Sequence, residues 1–232
     1  MKRAMTIFLV MLSSIAIMAP VVFARAGGAE PDLVMGAGAI VLAILLAPFI
    51  IAVMIYSYIK SKMKRAEARK LLQKLAENDR TWNQDLLEKR AREVYFAVQM
   101  SWTKNDINLC RSFVSDRLFE QHRHLLAAMA KKGEMNILEQ VQLDECTPLA
   151  VHDYAGETDD EVYIKIVGSM IDYTVDSSSK IVRGEKGKVV PFEELWVFCK
   201  HIKYGWVLNE IRKQIDCYQI GKIKSFTEEV SS

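Results

Sequence analysis

Few residues in this sequence are of the types that do chemistry, and they are scattered. The candidate acids, imidazoles and phenol are Asp172, Tyr173, His152, Glu194 and His201. A carboxylate beside hydrogen-bonding Tyr or His groups in an apolar pocket can act as a general acid or base. Their spacing argues against such a site. Asp172 and Tyr173 are consecutive in VYIKIVGSMIDYTV, which reads as a strand, so they point to opposite faces. His201 stands beside a Lys203-Tyr204-Gly205 turn, where a solvated rim position is expected. His122 and His124 are two apart on a helical stretch and cannot ligate one metal. No glycine-rich nucleotide loop, P-loop or nucleophile elbow occurs. Cys110, Cys146, Cys199 and Cys217 form no CxxC pair, so neither a zinc ribbon nor a redox dithiol is indicated. Each lies in an apolar or mixed run and reads as a buried free thiol. The expectation is a protein without catalytic residues, metal or cofactor.

The densest aromatic segment is FEELWVFCKHIKYGWVLNEI, Phe192 to Ile211. It reads as a hairpin closed at Gly205. Positions of like parity place Trp196, Phe198, Ile202, Trp206 and Leu208 on one face, and Leu195, Val197, Cys199, Val207 and Ile211 on the other. Trp196, Phe198, Trp206 and Leu208 are expected to form core or the lining of an apolar pocket. The second face has no obvious cover in the remaining chain. A curled sheet closing on its own pocket is one candidate cover, and a second copy of the chain in a homodimer is another.

The elements that position these residues begin at a membrane. Half of the 232 residues are hydrophobic, with the excess in the first sixty positions. Met1-Lys2-Arg3, the uncharged run Ala4 to Phe23 and the small residues Ala24-Arg25-Ala26 read as a signal peptide over 1–26, with an uncleaved first span as the alternative. Residues 27–35 come next as a short acidic segment outside the membrane. Gly36 to Ile59 lacks charge and makes a helix on the order of 36 Å long, enough to cross a bilayer. Pro48 is tolerated inside such a span, and Tyr56 and Tyr58 mark its exit. Ala39, Ala43 and Ala47 form a small-residue stripe along it. Lys60, Lys62, Lys64, Arg65, Arg69 and Lys70 lie just beyond, against a single Glu67. The positive-inside rule places this side in the cytoplasm of a bacterial inner membrane, where reduced cysteines fit. These six cations are the candidate contact with anionic lipid, or else simply set the topology. A net charge of +2 gives no reason to expect nucleic acid.

Residues 60–80 read as a charged helix or linker, 81–220 as a folded domain and 221–232 as a tail. A helix is predicted from about Trp82 to Trp102, with Leu87, Ala91, Val94 and Val98 three or four apart. Asn105-Asp106 opens a short helix. Ser115-Asp116 caps another whose apolar positions are Leu118, Phe119, Leu125, Leu126 and Met129, closed at Gly133. The period then becomes strand-like. ILEQVQLDE resumes past Pro148, whose place fits a bulge or an edge, and Gly168 marks a bend within the next strand. DSSSKIVRGEKGK reads as a loose connection before the hairpin. Helices succeeded by antiparallel strands make an α+β domain.

From about Glu93 to Gln214 the sequence resembles the C-terminal domain of the mitochondrial inner-membrane translocase's motor-anchoring subunit, the Tim forty-four family, in its bacterial form. The resemblance is carried by VQMSWTKNDINLCRSFVSDRLFEQHRHLLAAM, GEMNILEQVQL, GSMIDYTVD, VVPFEELWVF and GWVLNEI. It implies helices packed on a curved four-stranded antiparallel sheet, akin to the nuclear-transport-factor-two cone, a fold that also hosts isomerases and dehydratases. It further implies a non-enzymatic adaptor that docks at the inner-membrane surface and engages a protein partner in membrane-protein or translocation-related assembly. The family's long chaperone-binding N-terminal region is missing, so the import-motor role itself does not carry over. The alternative reading is a binder of a small apolar ligand, or an isomerase or dehydratase, using the cone interior.

Overall fold

The computed structural model describes residues 33–156, 159–213 and 222–228. The signal or first span, most of the acidic segment after it and Cys217 lie outside the described residues. The chain divides into two compact units, Met1–Tyr56 and Ser57–Ser232.

Helix α1, Leu33–Ala76, contains Pro48 and changes character along its length. In the first unit its apolar side chains, among them Leu45, Phe49 and Ile55, are exposed to the surroundings. A helix apolar all round without protein cover suits hydrocarbon. Among the described residues it is the one helix long and apolar enough to cross a membrane. In the second unit the helix is amphipathic. Ala68 and Leu72 are buried in the main core, with Leu71, Leu75 and Ala76 packed against it. The segment expected as a charged helix or linker is thus helical as far as Ala76 and contributes side chains to the core.

Side-chain caps punctuate the helices and turns after α1. Asp79 accepts from the Thr81 amide (2.8 Å) and starts a 3₁₀ turn, Arg80–Trp82. Asn83 accepts from Leu86 (3.1 Å) and starts α2, Gln84–Thr103, which buries Leu87, Ala91, Val94, Tyr95 and Val98. Asp106 caps a second 3₁₀ turn, Ile107–Cys110. Ser115 caps α3, Asp116–Lys131, which ends at Gly133 in a left-handed conformation (φ 68°). The apolar face of α3 differs from the expected one. Leu125 is exposed, while His122 is buried with Leu118 and Leu126.

The sheet comprises β1 (Met135–Asp153), β2 (Glu161–Val175), β3 (Ile181–His201), β4 (Gly205–Lys213) and β5 (Phe226–Thr227). Their order is β4-β3-β2-β1-β5. The four long strands are antiparallel. β5 lies parallel to β1, with Phe226 opposite His152, so the sheet is mixed and five-stranded, not four-stranded and antiparallel. β5 comes from the segment expected as a tail, and two residues are too few to show a period. The expected loose connection before the hairpin is mostly strand. Asp176 makes a tight turn by accepting from Ser178 (2.9 Å) and Lys180 (3.0 Å), and β3 begins one residue later. Residues 185–188 loop out between the pairs Tyr173↔Gly184 and Ile171↔Val189, with Gly187 at φ 83°.

Bulges curl the sheet. β1 carries three register shifts, the last between Pro148 and Ala150. Gly168 lies opposite Leu143, where a Cβ would stand 2.4 Å from the Gln142 carbonyl oxygen and 2.9 Å from the Phe192 ring. A further bulge falls in β4, because Val197 pairs with Glu210 but Phe198 pairs with Leu208. The extra residue, Asn209, reverses parity, so Ile211 pairs with Trp196 and packs on the main core, not on the opposite face as expected. Ile202, expected inward, is 92% exposed at the turn.

Both faces of the hairpin are covered by this chain. Trp196, Phe198, Trp206 and Leu208 belong to the core beneath the helices. Leu195 and Val197 join Leu149, Ala150 and Tyr163 on the other face, with Ile223 packed over them. The Val151 amide donates to Ser225 Oγ (3.2 Å), which anchors that covering segment. A second copy of the chain is not needed to cover this face. Residues 113–115 shield the outer edge of β4 through bonds from Leu208 to Phe113 (2.9 Å) and from Ser115 to Leu208 (2.8 Å).

Lys200 clasps the start of the domain to the hairpin. Its ammonium bonds Asp79 (2.7 Å) and Asp160 (3.3 Å) and lies over Trp82 (5.5 Å). Trp82 meets Trp206 edge-on at 4.9 Å, and Trp206 Nε1 donates to the Thr81 carbonyl (2.9 Å). Burial alone would raise the Asp79 carboxyl, but bonds from Lys200 and Thr81 outweigh it and hold it below the ordinary range. Burial pulls Lys200 down, and the bond to Asp79 outweighs that and raises it. Asp160 moves the other way. Its deeper burial outweighs the bonds from Tyr154 and Lys200, and its carboxyl is raised.

These contacts set the stability of the domain. Gly168→Ala should destabilise it by about 2 kcal/mol, read from urea unfolding tracked by tryptophan fluorescence. An unchanged midpoint would mean the Gln142 carbonyl moves freely. Lys200→Met should cost on the order of 3 kcal/mol by stranding buried Asp160. The Asp79 contribution should be present above the carboxylate's unfolded pKa and fade as pH falls through its lowered folded value. The Lys200 contribution should be complete below the lysine's unfolded pKa and fade as pH rises through its raised one. Asp160 offsets part of the acid limb, because its raised pKa favours the folded state on protonation.

Candidate functional site

Two regions are candidates, the basic stretch of α1 and the space under α3. On α1 the Arg65 side chain reaches across to Glu145 of β1. Lys64 pairs with Glu67 (3.1 Å) and is mostly covered. Lys62 lies over the Tyr58 ring at 5.2 Å, and Lys62, Arg69 and Lys70 are exposed, Lys62 and Lys70 on the side turned away from the buried Ala68 and Leu72 and Arg69 at the flank beside Leu72. Lys60 is half-buried. The run is thus divided between a contact that docks the helix and cations presented outward.

The second region is a cleft of about 830 Å³ enclosed by α2, α3 and one face of the sheet. Trp102 comes from α2, Arg117 and His122 from α3, and Met170 and Asp172 from β2. Phe192, Glu194 and Trp196 of β3 and Ile211 and Lys213 of β4 complete the floor. The order of strands explains the grouping, since alternate residues of paired strands share one face. Trp196 is fully buried, donates from Nε1 to Glu194 (2.8 Å), and lies 5.6 Å from the Tyr95 ring. Tyr95 in turn donates to the Gln142 carbonyl (3.1 Å), and burial, then Glu194 and Asp144, push its phenol upward.

Arg90 fixes the hairpin against α2. Its guanidinium donates to the carbonyls of Ser112 (2.7 Å), Trp206 (2.9 Å) and Tyr204 (3.2 Å) and covers the Phe113 ring at 4.6 Å.

Asp172 and Glu194 both reach the cleft. Tyr173 turns to the opposite face and donates to Glu139 (2.7 Å). His152 lies at the far edge against Phe226 (4.5 Å), with Nε2 3.1 Å from the Lys224 carbonyl. His201 stacks on Tyr204 at the turn, and its Nδ1 accepts from the Lys203 amide (3.1 Å). The five candidates therefore do not converge. Among the described residues no group of three His, Cys, Asp or Glu is placed to hold a metal. Burial raises the thiol of Cys110 and pushes that of Cys146 up to about 12, which suits inert packing.

His122 is a cleft residue that sequence spacing presents only as half of a metal pair. It is 6% exposed and meets Trp102 edge-on at 5.3 Å, and its Nδ1 has no hydrogen-bond partner among the described residues. Burial, then the charge of Lys213, hold its pKa below the ordinary value. A signal for its burial does exist in the sequence: it lies four residues after Leu118 and four before Leu126, on one helical face.

Helices laid over a curled sheet, an open cleft and one long apolar helix define the class of fold. The sequence matches the Tim44-like domain over residues 68–213, and the chain belongs to that family. No curated protein matches it. Among solved structures it is similar to the intermembrane space region of the chloroplast protein ARC6, at 14% identity and TM-score 0.40, over 54% of this chain and 96% of that one. It is also similar to an NTF2-like superfamily protein from Salmonella enterica serovar Typhimurium, at 15% identity and TM-score 0.33, over 57% and 94%.

Histidine proton NMR should show His122 titrating below the ordinary imidazole range, and Lys213→Gln should move it upward. On acidification the unfolded chain takes up this proton first. His122 therefore costs stability as pH falls through its unfolded pKa, and His122→Gln should flatten that part of the stability profile. A His122 that titrates normally would contradict the burial described.

Proposed function

We propose that this chain is a membrane-anchored, non-enzymatic adaptor of a bacterial inner membrane, with its Tim44-like domain on the cytoplasmic side. In this reading the domain docks at the lipid surface and engages a protein partner. The observation that carries it is the outward presentation of Lys62, Arg69 and Lys70 on the stretch directly after the apolar segment. Lysine and arginine just past a span attract anionic headgroups, worth about 1 kcal/mol each near the surface. Half-buried Lys60 adds to this set, whereas Lys64 is mostly covered and paired with Glu67 and Arg65 is engaged by Glu145. The same charge asymmetry supports the cytoplasmic side. The separation of Asp172 from Tyr173, His152 and His201 supports a binding role over turnover.

The cleft supplies a specific observation for the alternative reading, because it is open and contains Asp172. A substrate whose conversion disappears in Asp172→Asn, with folding intact, would establish that reading instead.

Full-length protein carrying a photo-crosslinking residue in place of Lys62 or Lys70 tests the docking. In nanodiscs containing anionic phospholipid it should capture headgroups several-fold more than in neutral discs. Glutamine at positions 60, 64 and 69 should reduce that capture. Equal capture in both discs would remove electrostatic docking from the account, and crosslinking in intact membranes would identify the protein partner.

A further inference from the structure

The space beneath α3 holds a buried imidazole and a lysine that the docking role leaves unused. Among the described residues Lys213 makes no ion pair, yet its charge acts on His122. Most other charges there are already engaged. Arg183 lies 3.8 Å from Glu134, Arg212 holds Glu210 at 2.9 Å, Glu194 accepts from Trp196, and Arg117 donates to the Asn209 carbonyl at 2.8 Å. A neutral imidazole nine-tenths buried with an unpaired nitrogen is a group waiting for a partner.

We propose that this cleft binds a monocarboxylate borne on an aromatic or apolar group, with Lys213 and His122 receiving the carboxylate and the partly exposed Trp102 and Phe192 receiving the ring. A carboxylate neutralises Lys213 and accepts from whichever His122 nitrogen carries the proton. The rings supply stacking surfaces around it. Glu194, directly opposite Lys213 in the β3–β4 pair, repels a second negative charge and so disfavours phosphates and dianions. A long hydrocarbon chain fits poorly, since it would lie against Glu134, Asp172 and Arg183. The same chemistry can come from a free arylalkanoate or from the C-terminal residue of a peptide. The site is separate from the basic face of α1.

The test uses the full chain in neutral phosphatidylcholine nanodiscs, with histidine ring resonances monitored by NMR. 3-Phenylpropionate should shift the His122 resonance saturably and raise its pKa, because a bound anion favours the imidazolium. Its neutral amide should bind at least about tenfold more weakly. Lys213→Gln changes an exposed position, so the fold should persist while affinity falls by about the same factor. His122→Gln keeps the size and a hydrogen-bonding group and should lose the raised pKa signature while retaining weak binding. N-acetyl-Gly-Gly-Phe with a free C-terminus, set against its C-terminal amide, separates the sources. Tighter binding than 3-phenylpropionate points to a protein C-terminus, and weaker binding to a free acid. Binding of acid and amide with equal strength, no saturable shift at millimolar probe, or an unaltered affinity in Lys213→Gln would each overturn the proposal. Because the discs carry no anionic lipid, this result and the lipid-capture result report on different surfaces.

Discussion

Lys200 is where three distant parts of the chain meet, and much of the domain's arrangement depends on that meeting. Asp79 brings the end of α1, Asp160 the start of β2, and Trp82 and Trp206 the aromatic bulk that narrows water's access to the ammonium. Ion pairs of this kind stabilise only when geometry and hydrogen bonds compensate for lost hydration. Here the compensation is visible: Asp79 also caps a 3₁₀ turn, and Asp160 also accepts from the Tyr154 amide at 3.0 Å. Each carboxylate thus sets local backbone and tertiary docking together.

Curvature is the second constraint. Gly168, the register shifts of β1 and the Asn209 bulge bend the sheet enough to leave open space beneath α3 while the other side closes on Ile223. This accounts for a hairpin that is apolar on both sides. One face lies under helices and the other under the C-terminal segment, so bulk on both is ordinary burial. Trp196 belongs to the core and to the cleft wall at once, which ties any change in the cavity to stability.

The helices after α1 are readable in the sequence because each begins with a side-chain cap and keeps an apolar period. Asp106 and Ser115 fall where the structure uses them, and Asn83 caps the helix expected from about Trp82. Gly168 and Pro148 are legible as irregular points in strands, since each lacks something a regular ladder requires. Other features leave no trace. The first half of β3 is an exposed edge rich in Lys, Arg and Gly, and its composition is that of a loop. β5 is too short to have a pattern. A single inserted residue, Asn209, reverses the side on which Ile211 falls, and parity counting carries no warning of it. The cleft is the least legible, because Asp172, His122 and Lys213 come from β2, α3 and β4 and line one space only through strand order.

The burial of Ala68 and Leu72 sets the fold's own boundary on α1 itself, where the family match also begins. A protease that released the domain by cutting after Leu72 would remove two side chains buried in the main core, and the shed piece would leave its interior open to solvent. Only a cut before Ala68 leaves those side chains with the domain. The apolar stretch and a part of the domain's core are encoded on the same helix.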